Sequence, residues 1–400
     1  MSRHPVVAVA LDGAGWHPGA WREATARPGE LFSAGYWVDL VQEAEHGLLD
    51  LVTLEDGAGL QSDRPGEPDQ RTDRVRGRLD AVQVAARVAP LTRHVGLLPT
   101  VVVTHSEPFH AAKAIATLDH VSSGRAGVRV QVSLRPHEAR HFGRRTFPAW
   151  GSGTEALVEE AFAEVADFVE VLRRLWDSWE DDAEIRDVAT GRFVDRDKLH
   201  HVDFEGRWFS VRGPSITPRP PQGQPLVAAL AHQGDGPALV GRSADLGFVT
   251  PSGVHDVPEL VAAVDRGRRE AGRSEKTVHV LGDLVVFLGD TEAQAVARRD
   301  RLDEQAGEAF TSDAHVFTGT PGQLADLVLS WHEAGLSGVR LRPGALPDDL
   351  RSITRGLVPE LQRRGAFRTA YDVTSPPGLR GLLGLPRPEN RYATHAEETA

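Results

Sequence analysis

The fold is decided by residues 94–133, HVGLLPTVVVTHSEPFHAAKAIATLDHVSSGRAGVRVQVS, which have the pattern strand, helix, strand. Residues 94–103 and 127–133 are rich in β-branched and aliphatic side chains, which is typical of buried strands. Between them, residues 107–121 carry apolar side chains at helical spacing, and Gly124 marks the turn that follows. This order predicts a right-handed βαβ unit of a parallel sheet.

The same alternation of strands and helices extends in both directions along the chain. Strands are predicted at residues 6–11, 49–55, 94–103, 127–133, 225–231, 246–250, 277–289 and 336–343. Eight such units predict an α/β fold, a closed (β/α)8 TIM barrel. A doubly wound open sheet remains the alternative at this point.

The alternation breaks at about residues 134–225, where one long amphipathic helix, predicted at 155–179, lies between irregular segments rich in Gly, Pro and Asp. We interpret this region as a long insertion after strand 4, because the alternation resumes directly afterwards. Residues 1–370 are therefore predicted to form a single barrel domain. Residues 371–400 are predicted to be a C-terminal extension, packed on the outside of the barrel or on a neighbouring subunit.

Composition narrows the class of protein. The 400 residues are 40% hydrophobic and 26% charged, with a formal net charge of −12 and no cysteine. No basic stripe is present, so nucleic acid is not expected as a partner. The apolar run before Asp12 is too short for a signal peptide or a membrane span, so no membrane association is expected. Absence of cysteine is compatible with the reducing cytoplasm, where we expect the protein.

Candidate site residues follow from position, because barrel enzymes build their active sites at the carboxyl ends of the strands. Asp56 ends strand 2, and Thr100 and His105 lie at or beyond the end of strand 3. Arg129 and Gln131 occupy strand 4 and its exit. His105 near this mouth either acts as an acid or base or bonds to a backbone group.

A second candidate is the segment AHQGDG, residues 231–236, between strand 5 and a short helix. A glycine-containing turn before a helix presents free backbone N–H groups, which suit a phosphate. An ordinary tight connection explains the same pattern equally well.

The sequence lacks the motifs of several common metal, nucleotide and serine hydrolase sites. The chain has no HExxH pair, no GxGxxG after a strand, no GxxxxGK[ST] and no GxSxG. No metal site is therefore predicted, and neither a Rossmann or Walker nucleotide site nor a serine hydrolase elbow is supported.

Residues 107–127, EPFHAAKAIATLDHVSSGRAG, resemble the segment EPyhxARxxatLDhLSgGRaGW of the bacterial-luciferase-like flavin-dependent monooxygenases. The resemblance is greatest to the branch of nitrilotriacetate, dibenzothiophene-sulfone and long-chain alkane monooxygenases. Residues 191–214, 316–328 and 379–392 are similar, in order, to further segments of that branch. The likeness covers nearly the entire chain.

The resemblance implies the same barrel fold and a two-component enzyme. Members use reduced FMN, supplied by a separate flavin reductase, to activate O₂ as a flavin (hydro)peroxide that oxygenates a small organic substrate. A homodimer or homotetramer is implied as well. Asp119, Gly124 and Arg125 are expected to be mainly architectural.

Transferred to this sequence, the family pattern makes Asp56 and Thr100 neighbours of the flavin ring. It makes Ala231, His232, Gln233 and Gly234 the phosphate turn, in which His232 or Gln233 replaces a missing Ser as the donor.

Three departures from the family pattern accompany these matches. Val128 and Arg129 replace a Trp and an Asn, and Phe162 occupies the position of a phosphate-binding Tyr. Arg129 either pairs with an anionic flavin or points elsewhere. The candidate catalytic residues are thus Thr100, Arg129 and His105, and Asp56, Thr100, Arg129 and Gln131 join the turn as candidate cofactor-binding residues.

The leading hypothesis is an FMNH₂-dependent monooxygenase. Because the family Asn is lost at position 129, two alternatives stay open. One is a flavin or deazaflavin oxidoreductase that transfers hydride without inserting oxygen, and the other is a non-catalytic flavin-binding homologue. The identity of the substrate does not follow from the sequence.

Overall fold

The computed structural model describes residues 4–62, 64, 67–149, 151, 154–232, 234–372 and 378–393. Within them, eight parallel strands form one closed barrel: β1 (Val6–Leu11), β2 (Leu51–Leu54), β3 (Gly96–Val102), β4 (Gly127–Gln131), β5 (Leu226–Leu230), β6 (Leu246–Val249), β7 (His279–Leu288) and β8 (Gly338–Pro343). β1 pairs with both β2 and β8, and β6 pairs with both β5 and β7, so the described sheet is continuous around the barrel. The (β/α)8 prediction is confirmed, and the open sheet is excluded.

Helices surround the barrel: α1 (Ala34–His46), α2 (Ala81–Val88), α3 (Pro108–Val121), α4 (Pro136–Phe142), α5 (Glu155–Asp177), α6 (Gly236–Ser243), α7 (Val257–Glu270), α8 (Glu292–Ala306), α9 (Pro321–Glu333), α10 (Asp348–Ser352), α11 (Val358–Arg363) and α12 (Leu379–Leu382). Local sequence explains where several begin. Thr291 and Thr320 each form a capping box, with Gln294 and Gln323 respectively. None of the helices in the described residues has the length and apolar character that a bilayer span requires.

The barrel interior is apolar at its amino end. Inward-facing side chains there include Val6, Leu51, Leu98, Leu226 and Leu246, and they pack against the C-terminal segment. This segment supplies Leu379, Leu383 and Leu385. The described part of the C-terminal extension therefore closes the amino end of this chain's own barrel.

The region between β4 and β5 contains both a regular and an added part. α5 contacts α3 and α6, which is the place of the crossover helix in the fourth βα unit. The indole of Trp176 donates a hydrogen bond to the carbonyl of Ala112 at 3.0 Å and fixes this contact. α4 and two short hairpins, Glu184–Asp187 with Arg192–Val194 and Phe204–Glu205 with Ser210–Val211, are the added part.

One strand, His315–Gly319, was not predicted. It pairs in parallel with Leu284–Leu288, the carboxyl-terminal half of β7. β7 is ten residues long, whereas β6 pairs only with its first four. The extra strand covers the edge of β7 that the shorter β6 leaves unpaired.

Candidate active site

The inward-facing side chains become charged at the carboxyl end of the barrel. Arg129 on β4, Asp283 on β7 and Arg340 on β8 are all buried polar residues. Glu55 follows β2 and joins them through salt bridges to both Arg129 and Arg340. Because side chains of a strand alternate between the two faces, these positions share the face that carries the apolar layer below.

Thr100, Arg129, Glu55, Arg340 and Asp283 form what we call the inner tier. The guanidinium of Arg129 donates to the hydroxyl oxygen of Thr100 at 3.0 Å and to Glu55 Oε2. The hydroxyl of Thr100 in turn donates to the carbonyl of Leu54 at 2.7 Å. Arg129 is 0% exposed and Thr100 is 1% exposed, so these two of the three predicted catalytic residues are sealed from solvent.

Arg340 completes the inner tier. Its Nε donates to Asp283 Oδ1 at 2.6 Å, and its Nη1 lies 3.3 Å from both Thr53 Oγ1 and Glu55 Oε1. The guanidinium lies over the ring of Phe248, 4.1 Å from the ring centroid. The two buried arginines are thus compensated by two carboxylates and by hydroxyl acceptors, as buried charges require.

The electrostatics keep Glu55, Asp283 and Arg129 charged at neutral pH. Burial raises the pKa of Glu55, but Arg129 and Arg340 outweigh burial and hold this pKa below its usual range. Burial likewise opposes ionisation of Asp283, yet Arg340 and Arg342 hold its pKa well below the usual value. Burial lowers the pKa of Arg129 to about 10, which still leaves it cationic near neutral pH.

His232, Arg342 and Asp313 form an outer tier. His232 Nε2 lies 2.9 Å from Asp283 Oδ2, and His232 Nδ1 lies 2.8 Å from Asp313 Oδ2. Arg342 Nη1 donates to Asp313 Oδ1 at 2.7 Å, and its Nη2 donates to Asp283. Burial lowers the pKa of His232, but the two carboxylates outweigh burial and raise it. The outer tier therefore favours a doubly protonated imidazole.

Arg342 differs from the other arginines of the cluster. Its side chain is 6% exposed, and its guanidinium lies 5.8 Å from the ring centroid of Trp16. Its Nε is buried and has no hydrogen-bond partner among the described residues. A buried donor without an acceptor costs about 1–3 kcal/mol, so this atom favours an additional acceptor.

The predicted phosphate turn lies next to the outer tier. The amide of Ala231 donates to the carbonyl of Phe248 at 2.7 Å, and Gly234 has a φ of +52°, a conformation that favours glycine. A Cβ on Gly236 would lie 2.8 Å from the Cα of Ala231, so the first residue of α6 also has to be glycine. Gln233 lies outside the described residues.

Asp56 lies at the rim but is not part of either tier. Its Oδ1 accepts from the amide of Gly57 at 2.7 Å, and its Oδ2 accepts from the amide of Ala81 at 2.9 Å. Burial raises its pKa, and the two amides partly offset this effect. Gln131 Nε2 lies 3.5 Å from the carbonyl of Asp56. Asp56 thus accepts hydrogen bonds at the start of α2 and in its own turn. Its neighbour Glu55, rather than Asp56, belongs to the inner tier.

His105 lies outside both tiers, in the 3₁₀ turn Val103–His105 that follows β3. Its ring is buried and stacks on Phe142 with 4.6 Å between the ring centroids. Its Nε2 has no hydrogen-bond partner in the part of the chain that the structure describes. Burial lowers the pKa of His105, so the neutral form is favoured.

The helix-to-strand turn has the architectural contacts expected of it. Asp119 accepts hydrogen bonds from the amide of Ala126 at 3.1 Å and from Gln222 Nε2 at 2.6 Å. Arg125 donates to the carbonyl of Ala89 at 2.8 Å. The carbonyl of Gly124 accepts from the amide of Leu379 at 2.8 Å, which ties the turn to the C-terminal segment.

Sequence reasoning missed Glu55, Asp283, Asp313, Arg340 and Arg342. Four of them carried a usable signal, because a charged residue inside or directly after a buried strand requires a partner. Arg340 and Arg342 alternate with apolar residues in GVRLRP, and Asp283 interrupts the apolar run of β7. Asp313 carried no such signal, since it belongs to an irregular polar segment.

Comparison with known proteins identifies the family. The sequence profile described as luciferase-like monooxygenase matches residues 14–338. N-acetyl-S-(2-succino)cysteine monooxygenase of Bacillus subtilis is 30% identical over 448 aligned residues, covering 96% of this chain and 97% of that protein. Nitrilotriacetate monooxygenase component A of Aminobacter aminovorans is 29% identical, covering 95% of this chain and 96% of that protein. The second relative belongs to the branch that the sequence resembles.

A solved structure shows the same fold. The EDTA monooxygenase of Chelativorans sp. BNC1 superimposes with a TM-score of 0.81 at 23% sequence identity, covering 97% of this chain and 100% of that chain. The chain therefore belongs to the luciferase-like monooxygenase family, a family of flavin-dependent oxidoreductases.

Proposed function

We propose that this chain is the oxygenating component of a two-component system, which uses reduced FMN and O₂ to oxygenate a small organic substrate. One observation carries the proposal: relatives named as monooxygenases match the chain from end to end. The charged tiers lie at the carboxyl end of the barrel, where barrel enzymes hold their active sites.

The hydrogen-bond donors of the outer tier are suited to binding an anionic cofactor. His232 and Arg342 are cationic, and Arg342 Nε has no acceptor within the described chain. The first turn of α6, from Gly236, adds backbone N–H groups without intrahelical acceptors. We assign the phosphate of FMN to this corner, together with Ala231, Gln233 and Gly234. Reduced FMN, when bound, supplies the electrons that activate O₂.

The inner tier is proposed to hold one carboxylate, Glu55, in position. Thr100 and Arg129 are sealed, so we assign them the role of holding Glu55 rather than contacting a reactant. Glu55 keeps 14% of its side chain exposed and stays ionised, so it can accept a hydrogen bond from a bound molecule. Asp56 and Gln131 are proposed to line the cofactor at the rim.

His105 is proposed as a proton acceptor. Its neutral form is favoured by burial, and its Nε2 is not engaged with any described group. An unprotonated imidazole nitrogen near the mouth is the type of group that accepts a proton in general base catalysis.

The proposed partners follow from the relatives. Nitrilotriacetate monooxygenase carries the designation component A, which supports a separate flavin reductase as the second component. A homodimer or a homotetramer is proposed as the assembly. O₂ and a small organic molecule are the proposed substrates.

The function is tested by oxygen uptake. Purified protein, FMN, NADH and a flavin reductase are combined with a panel of small carboxylates, sulfones and alkanes, and O₂ consumption and oxygenated products are measured. We expect one class to give a product that contains oxygen from ¹⁸O₂. Absence of labelled product across the panel, with reduced FMN bound, contradicts the proposal.

A second candidate is supported by Arg129. Its guanidinium is sealed and paired with Glu55, so this side chain does not present the polar group that the family Asn provides. A flavin or deazaflavin oxidoreductase that transfers hydride needs no oxygen site. Turnover under strictly anaerobic conditions favours this candidate, and cofactor affinity without any turnover favours a non-catalytic homologue.

A further inference from the structure

Asp313 differs from Asp283, the other carboxylate that contacts His232 and Arg342. It lies in the irregular segment 307–314, between α8 and the extra strand, and 46% of its side chain is exposed. One of its oxygens accepts from Arg342 at 2.7 Å, and the other lies 2.8 Å from His232 Nδ1. Asp283, which contacts the same two residues from below, is 0% exposed.

The cluster of charged groups around His232 and Arg342 holds more positive charge than its buried carboxylates neutralise. Arg342, His232, Arg340 and Arg129 are four cationic groups, whereas Asp283 and Glu55 are the two carboxylates buried with them. Nearby Arg78 is paired with Asp12 and changes this balance little. Asp313 therefore supplies the third negative charge from the solvent side, and one positive charge is still unmatched.

We propose that His232 and Arg342 form an oxyanion-binding site, and that the Asp313 carboxylate holds the place of the ligand until a phosphate or carboxylate group replaces it. A guanidinium matches both kinds of oxyanion with the same paired N–H groups. The Nε of Arg342, which has no partner among the residues that the structure describes, provides a further donor in this site.

The segment that carries Asp313 allows this carboxylate to move away from His232 and Arg342. Phe310 on one side is fixed by a hydrogen bond from its amide to Asp303 at 2.8 Å, and the extra strand begins at His315 on the other side. Only the short irregular stretch between these anchors has to move. The inner carboxylate Asp283 belongs to β7 and stays in place.

The ligand oxyanion has two sources, the phosphate of FMN or a carboxylate of the substrate. His232 belongs to the turn that precedes α6, which favours the phosphate. The assignment to FMN rests on the proposed function, whereas the oxyanion site itself rests on the contacts of His232, Arg342 and Asp313.

The test compares Asp313→Asn with Asp326→Asn in the full chain. Asp326 is a matched control, because it is an exposed aspartate of α9 that pairs with Arg364 away from the mouth. Each protein is titrated calorimetrically with inorganic phosphate, succinate, FMN, riboflavin and, under anaerobic conditions, photoreduced FMN. We expect Asp313→Asn to bind phosphate about threefold to tenfold more tightly than wild type, as removal of a partly exposed competing ion pair allows. Asp326→Asn should match wild type, and Arg342→Gln added to Asp313→Asn should abolish the gain.

The two sources give different results. A gain for FMN without a gain for riboflavin identifies the phosphate, and a gain for succinate with FMN unchanged identifies a substrate carboxylate. The inference is overturned if folded Asp313→Asn, with wild-type circular dichroism, binds neither phosphate nor succinate more tightly. If phosphate binding improves but no variant binds reduced FMN, the proposed function fails while the oxyanion site stands.

Discussion

At the scale of single residues, the mouth of the barrel depends on pairs that are far apart in sequence. Arg129 and Glu55 are separated by 74 positions, yet the guanidinium and the carboxylate meet in the inner tier. Breaking such a pair from one side leaves a buried charge without a partner, which is costly, whereas replacing both partners is tolerated better.

Arg129→Met is therefore expected to lower the free energy of unfolding by about 3 kcal/mol. The double variant Arg129→Met with Glu55→Gln should lose clearly less, because it holds no buried carboxylate that has lost one of its two arginine partners. Chemical denaturation of the wild type, the two single variants and the double variant measures the coupling. Additive losses would show that the pair does not stabilise the mouth.

His232 predicts a dependence of stability on pH. Burial lowers its pKa, but Asp283 and Asp313 raise it above the usual 6.5. A pKa raised by folding contributes stability that is complete below 6.5 and is lost as the pH rises through the folded value. The destabilisation caused by His232→Gln should thus be larger at about pH 6 than at about pH 9, as measured by urea unfolding. Equal losses at both pH values would contradict the raised pKa.

The alternation of side chains along a strand predicts which residues near its end point into the barrel. In β2, Leu51 packs inside the barrel and Thr53 contacts Arg340, so Glu55 shares their inward face. Asp56 has the opposite parity and accepts from the amide of Ala81 at the start of α2 instead. Strand alternation alone would have indicated Glu55, whereas the position at the end of the strand and the family motif both indicated its neighbour Asp56. Asp313 was beyond prediction because its partners are set only by tertiary packing.

At the scale of elements, the barrel closes where β8 meets β1. A Cβ on Gly338 would lie 2.0 Å from the carbonyl oxygen of Val6, and backbone atoms of paired strands cannot move aside. This close approach makes glycine necessary at the seam of the barrel.

Gly338→Ala is expected to prevent stable closure, so that the protein accumulates in inclusion bodies or loses its cooperative thermal transition. Gly35→Ala is the matched control, because nothing lies within 4 Å of the added Cβ on α1. Comparable yield and melting temperature of the two variants would contradict the steric argument.

The C-terminal segment acts as the floor of the barrel. Leu379 is fully buried among the apolar side chains of the amino end. Leu379→Ala should lower the free energy of unfolding by about 3 kcal/mol, because a large cavity is left in a packed core. Leu60→Ala, at a 60% exposed position, should change it little. Equal effects of the two substitutions would show that the segment is not part of the core.

Periodicity predicted the eight barrel strands because each is a continuous apolar run between helices. Periodicity failed for the extra strand, because HVFTG is short and half-buried. This strand pairs with the part of β7 that extends beyond the shorter β6. Periodicity also did not reveal that α5, within the region interpreted as an insertion, contacts α3 and α6. Both points concern elements whose place is set by neighbours rather than by their own pattern.

At the scale of the whole molecule, a closed barrel holds a buried charged layer beneath a pair of largely buried cations, which Asp313 contacts from the solvent side. The apolar amino end fixes the strands and the inner tier fixes the charges, while in the outer tier Arg342 Nε finds no acceptor within the described ranges. In this arrangement the mouth is suited to an anionic flavin, and the proposed function depends on that binding.

Binding of reduced FMN tests this account most directly. Photoreduced FMN is titrated anaerobically with the protein, and the complex is then mixed with oxygenated buffer while flavin absorbance is followed. The account predicts a saturable spectral change and a rate of flavin reoxidation that differs from that of free FMN, with both effects weakened in Arg342→Gln. Reoxidation identical to that of free FMN at saturating protein would contradict it.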